Sequence, residues 1–174
     1  ATGIADNAGM PEPVAILTVA ITARALFHME ESHGLFEAEG VKAYAEFQRE
    51  REDDVLDPGI AFPLVRKLLA LNRGTPADAP RVEVILLSRN SSDTGLRVFN
   101  SIQRHGLDIR RATFTSGAPV WPYIVPFGAQ LFLSANPESV RSALEAGVAA
   151  ATILPARAPE SPHDQLRIAF DGDA

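Results

Sequence analysis

The last residues of the chain hold its most reactive-looking pattern. Apolar side chains predominate from Leu166 to Phe170, and Asp171-Gly172-Asp173 follows directly. A buried strand that ends on Asp-x-Asp sets two carboxylates where a sheet opens to solvent. The first can attack a phosphorus or carbon centre, and the second can deliver a proton and take it back. Two neighbouring carboxylates repel each other, so they call for a hard cation such as Mg²⁺ between them. The bland alternative is a solvated chain end with no chemistry.

The elements that would position such a pair recur along the chain. Val14 to Ile21 is an apolar, β-branched run suited to a strand buried on both faces of a parallel sheet. A helix is expected from Ala25, with Leu26, Phe27, Leu35 and Phe36 on its apolar face, and a second from Val41 to about Arg51. Asp53 to Pro63 reads as loop and Leu64 to Leu71 as a short helix. Val82 to Leu87 is a second buried strand. Ser91-Ser92-Asp93 then offers caps to a helix from Thr94 to His105, with Leu96, Phe99 and Ile102 expected inside.

Ala112 to Thr115 is a short strand, and Pro122 and Pro126 limit any helix between Val120 and Phe127 to about one turn. Gln130 to Leu133 is a core strand. Asn136 and Pro137 open a helix that Gly147 stops, and Val148 to Leu154 is another strand. Residues 155–165 carry Pro155, Pro159 and Pro162 and read as a linker. Strands alternating with helices give a three-layer α/β/α fold with a mainly parallel sheet.

Composition narrows the classes. The net charge of −6 comes with no basic stripe, which argues against a nucleic-acid or acidic-membrane partner. Cysteine is absent, so disulfides, thiolate zinc sites and cysteine nucleophiles are excluded. That absence is compatible with a cytoplasmic location. No apolar run approaches a membrane span.

Other candidates carry less. Ser88-Arg89-Asn90 lies at a strand's carboxyl end, where open α/β sheets bind ligands; a nucleotide or phosphate contact competes there with helix capping. His28 and His33 miss the spacing of a helical zinc pair and read as surface residues. The charged runs at Glu30-Glu31 and Arg49 to Asp54 read as solvated helix faces. Trp121 and Tyr123 suit a core plug, a subunit contact or a stacking platform for a base.

Val19 to Ala25 can be laid over Ile168 to Ala174, with Ala20 and Ala25 matching Ala169 and Ala174. The order of strands and loops after Val14 is that of a haloacid dehalogenase-like domain. Its chemical positions are replaced by Thr22 and Arg24, Ser88, a residue near Val120, and Ser134-Ala135, and only the Ser88 hydroxyl survives. Residues 14–154 thus read as a degenerate copy of that fold. Residues 166–174 read as the first strand and motif of a catalytic copy.

The chain resembles the N-terminal half of the cytosolic 5'-nucleotidase I family. The match is carried by Arg24-Ala25-Leu26-Phe27 with Met29-Glu30-Glu31, by Pro58-Gly59-Ile60-Ala61-Phe62-Pro63, and by Ser88-Arg89-Asn90 with Val98 to Ile102. It continues through Leu133-Ser134-Ala135, Ala149 to Ile153 and Ala169 to Ala174. The resemblance implies Mg²⁺-dependent removal of phosphate from nucleoside 5'-monophosphates. It implies Asp171 as nucleophile and Asp173 as acid/base, with both residues at the metal. Ser88, Arg89 and Asn90 are candidate substrate contacts. The later motifs of the fold are absent from this chain, which alone is then expected to be inactive. A homo-oligomer, or association with a C-terminal half, is expected because a terminal strand needs an edge to pair with. The alternative function is a non-catalytic nucleotide-binding or regulatory α/β module.

Overall fold

Alternation along the second strand sets the two faces of the sheet. In the computed structural model, which describes residues 15–29, 40, 44–155 and 165–169, Val84 and Leu86 pack on one side and Ile85 and Leu87 on the other. The strands are β1 (Leu17–Thr22), β2 (Val82–Ser88), β3 (Ala112–Phe114), β4 (Leu131–Ser134) and β5 (Ala150–Thr152). All four ladders are parallel, in the order β3-β2-β1-β4-β5. The central pair runs in register from Leu17↔Val82 to Thr22↔Leu87. The chain is α/β with layers on both faces of an all-parallel sheet, an arrangement consistent with the haloacid dehalogenase-like expectation.

On the first face, Val19, Ile21, Val84, Leu86 and Leu133 meet α1 (Ala23–Leu26), α2 (Phe62–Ala70) and α3 (Ser92–Arg104). On the second, Ala20, Ile85, Leu87 and Phe132 meet Val120, Ile124 and Ala143, the last from α4 (Pro137–Glu145). Each such Val, Leu, Ile or Phe side chain taken from water contributes about 1.5–3 kcal/mol. Residues 44–50 are helical as well.

Several expectations are corrected. The helix expected from Ala25 to a break at Glu39-Gly40 instead begins at Ala23, and α1 ends at Leu26, because Phe27 turns extended and forms a bridge with Pro58; residues 30–39 lie outside the described residues. His28 is exposed beyond the end of α1, and His33 lies outside the described residues. Helix α2 starts earlier than expected, at Phe62, with Pro63 in its first turn, where no N–H partner is required.

Leu96 and Phe99 are on the outer side of α3, 51% and 36% exposed; the inner face is Thr94, Gly95, Val98, Ser101 and Ile102. Polar residues are inside because they are bonded there. Thr94 Oγ1 donates to the Tyr44 hydroxyl at 3.1 Å, and the Ser101 hydroxyl donates to the Arg97 carbonyl while accepting from Leu56 N. Ser91 precedes α3 but its side chain makes no cap bond, and its buried hydroxyl has no partner. The apolar run expected as a terminal strand has no ladder over 165–169; Leu166 packs on the first core while Ile168 is 63% exposed.

Two close approaches secure the first face. Gly59 N donates to the Leu26 carbonyl and Ala61 N to the Ala25 carbonyl, both at 2.8 Å. A Cβ on Gly59 would lie 2.7 Å from the Ala25 oxygen, so only glycine fits. The other is a strap. Arg97, Asn100, Ser101 and His105, at helical spacing, bond Asp54 O, Glu52 O, Leu56 N and Leu56 O at 2.8–3.0 Å. The Leu56 carbonyl can only accept, so His105 Nε2 carries a proton; the ring is stacked on Phe27 and edge-on to Phe62.

Candidate functional site

Parallel strands present all their carboxyl ends at one edge, and the order reverses between β1 and β4. Open α/β sheets form their crevice at that switch. Here Thr22, Ser88 and Ser134 end β1, β2 and β4. Thr22 Oγ1 donates to Ser134 Oγ at 3.3 Å, and Ser134 Oγ also accepts from Asn136 N at 3.0 Å. Ser88 Oγ accepts from Asn90 N at 3.1 Å. Ser88 and Ser134 are 3% and 1% exposed, so the strand ends are closed by hydroxyls spent on local bonds.

That edge does not suit a hard divalent cation, which takes carboxylate and carbonyl oxygens. Its strand ends supply neutral hydroxyls, and no group of three or more His, Cys, Asp or Glu residues that could hold a metal occurs among the described residues. Val120, near one of the replaced chemical positions, is buried in the second core. Arg24 follows Thr22 in α1 and is exposed.

The open feature lies to one side of this edge. A hollow of about 120 Å³ is lined by Arg89, Val120, Trp121, Glu138, Ser139 and Ser142. It adjoins a broader depression that shares Trp121 and Ser142 and continues to Glu145. Arg89 is exposed but held: its Nε and Nη2 donate to the Gly117 carbonyl at 3.2 and 3.0 Å. No carboxylate pairs with it among the described residues. The loop beneath is stitched to the end of β2, with Gly117 N donating to Arg89 O at 2.6 Å and Ser116 N to Asn90 O at 3.0 Å. Ser116 has φ +50° and Gly117 +94°, a tight turn in the left-handed region. Across the hollow, Asn136 Oδ1 accepts from Ser139 N at 2.8 Å and seals the start of α4.

The three neighbouring residues Ser88, Arg89 and Asn90 therefore go three ways. Ser88 is buried at the strand end, Arg89 lines the hollow, and the Asn90 amide lies 3.5 Å from Met29 Sδ. Asp171 and Asp173 lie outside the described residues, as do most of the expected linker and the Glu30-Glu31 run. Some of the segments that carry the family resemblance meet in space: residues 25–27 contact 58–61, and Ile153 N donates to Ser134 O at 2.8 Å.

Sequence reasoning missed Glu138, Ser139 and Ser142 as companions of Arg89. The available signal was the only tryptophan of the chain, set between Pro119 and Pro122 and one connection before α4.

Comparison with known proteins agrees with the resemblance. The chain is 33% identical over 169 residues to human cytosolic 5'-nucleotidase 1B, a match covering 94% of this chain and 28% of that protein. It thus spans little more than a quarter of the relative's length. No solved structure matches. A family model described as 5'-nucleotidase matches residues 10–174, nearly the whole sequence, and the chain belongs to the 5'-nucleotidase family.

Proposed function

We propose that the chain is the N-terminal part of a Mg²⁺-dependent 5'-nucleotidase that converts nucleoside 5'-monophosphates to nucleoside and phosphate. The observation that carries this reading is that the family match extends through residue 174, and so takes in Asp171-Gly172-Asp173. Asp171 attacks the phosphorus and becomes an aspartyl-phosphate. Asp173 gives a proton to the leaving 5'-oxygen, then takes one from the water that hydrolyses the acyl-phosphate. The two carboxylates are hard oxygen donors that suit Mg²⁺, which when bound supplies charge stabilisation at the phosphoryl group.

In this reading residues 14–154 are the degenerate domain, 155–165 the linker and 166–174 the opening of the catalytic domain. Such chemistry depends on donors preorganised around the phosphoryl group. The segment 1–174 alone is accordingly expected to be inactive. A cytoplasmic setting and a homo-oligomer belong to the same proposal.

The test is phosphate release from nucleoside monophosphates by the full-length protein. Activity should need Mg²⁺, and Asp171→Asn should abolish it. Undiminished turnover by Asp171→Asn would sink the proposal. A second reading, a non-catalytic nucleotide-binding module, is favoured for residues 15–155 by the hydroxyl-closed crevice. It predicts binding without turnover.

A further inference from the structure

We infer that the outward surface of the second face, formed by Trp121, Tyr123 and Val125 with the outer side of α4, docks a second copy of this chain. The inference deepens the homo-oligomer of the proposed function by naming its surface, and it rests on none of the phosphatase chemistry.

The surface exists because a layer is incomplete. A parallel sheet is covered on both faces, and the crossovers between its strands usually carry the helices that cover it. The connection from β3 to β4 carries one 3-10 turn, Trp121–Tyr123, because Pro122 and Pro126 stop anything longer. Val120 and Ile124 are buried in the second core, while Trp121 and Tyr123 are each 39% exposed and Val125 is 69% exposed. Residues 112–137 hold no charged side chain, in a chain that is 22% charged, so the exposure is not offset by solvated charges nearby in sequence. Exposed aromatic rings in a charge-free setting match the centre of a protein–protein contact.

Two observations select a copy of the chain as the occupant. The net charge of −6 makes copies repel each other over most of their surface, and least where charge is missing. The second observation is on α4. Arg141 and Glu145 are exposed one helical turn apart, are opposite in sign, and are not paired among the described residues. Two α4 helices running antiparallel across a two-fold axis set Arg141 of each copy against Glu145 of the other. Leu144, 52% exposed, then lies beside the axis.

A specific dimer buries about 800 Å² on each partner, more than three side chains supply, so the contact has to take in α4 as well as the 121–125 turn. The following segment of the chain is a poorer occupant. Leu166 packs on the first core, so the described part of the segment proposed to open the catalytic domain lies on the opposite side of the sheet.

The experiment is sedimentation velocity on the full-length protein over a range of concentrations, with hydroxyl-radical labelling of Trp121 and Tyr123 in the same samples. A reversible dimer, or a larger assembly built from it, is expected, and labelling of both residues should fall as it forms. Val125→Asp changes a side chain too exposed to endanger the fold, and should raise the dissociation constant at least about tenfold. Arg141→Glu and Glu145→Arg should each weaken the dimer by setting like charges across the axis. The double variant should restore it.

A monomer at every concentration overturns the inference, and protection of Trp121 and Tyr123 in that monomer would assign the surface to the rest of the chain. An oligomer that leaves both residues fully labelled, or that Val125→Asp does not weaken, overturns this surface while the oligomer itself stands. A double variant no tighter than the single ones also overturns it. Mass and labelling are read without Mg²⁺ or substrate, so failure here is distinguishable from failure of the catalytic proposal, which phosphate release reads.

Discussion

The two faces of the sheet are secured by different means. The first face carries α1, α2 and α3 over a continuous apolar cluster, with Phe27, Leu26 and Val65 fully buried. It is also stitched on the outside, where α3 side chains bond the 52–56 loop and Gly59 lets two backbones touch. The second face has a smaller cluster, covered by a single turn of 3-10 helix at Trp121–Tyr123 and by α4. Pro122 and Pro126 prevent a longer helix there, and the connection leaves Trp121, Tyr123 and Val125 exposed. Among the described residues its charged tether is Arg111, which forks onto Glu83 at 2.6 and 2.5 Å and reaches the Phe127 carbonyl at 3.1 Å. The hydrogen bond to Glu83 raises the guanidinium pKa above its usual value, against the opposing effect of burial. One face is sealed and the other keeps an opening. The hollow beside Arg89 and Trp121 is on the face with less helical cover.

Substitutions can test that contrast. The largest effect is expected from Phe27→Ala, which removes a fully buried ring that stacks on His105 and packs with Phe62. A loss of about 3–5 kcal/mol in chemical denaturation is expected. A loss under about 1 kcal/mol would mean that the first face is not the sealed one.

Ser101→Ala tests the strap. It leaves the Leu56 N–H buried without its acceptor and should cost about 1–3 kcal/mol. Amide exchange at Leu56 should accelerate in the variant, and unchanged protection there would separate the strap from the stability of this face. The smallest effect is expected on the second face. Asn136→Ala deletes the α4 cap and should cost about 1 kcal/mol, with little change in the protection of α3. A loss as large as that of Phe27→Ala would break the comparison.

Much of this architecture was legible because it rests on local rules. The apolar runs at Val82 and Gln130, the cap at Asn136 and the stop at Gly147 each need only neighbouring residues, and Gly147 adopts positive φ. The readings that failed depended on distant partners. Phe27 leaves the helix because Pro58 is beside it, and Leu96 and Phe99 yield the inner face to Thr94 and Ser101, whose partners include Tyr44 and Leu56. Arg89 was legible as a candidate from its strand-end position. That it shares a hollow with Glu138 and Ser142 depends on the crossing of the chain to the second face, which local pattern does not encode.

Among the described residues both outer strands of the sheet, β3 and β5, are three residues long. A short edge offers few unpaired backbone groups to a neighbouring molecule, so stacking of chains by strand addition has little to propagate along. Any assembly this chain forms is therefore expected to use side-chain surfaces, and such contacts can be reversible in a way that extended cross-strand polymerisation is not.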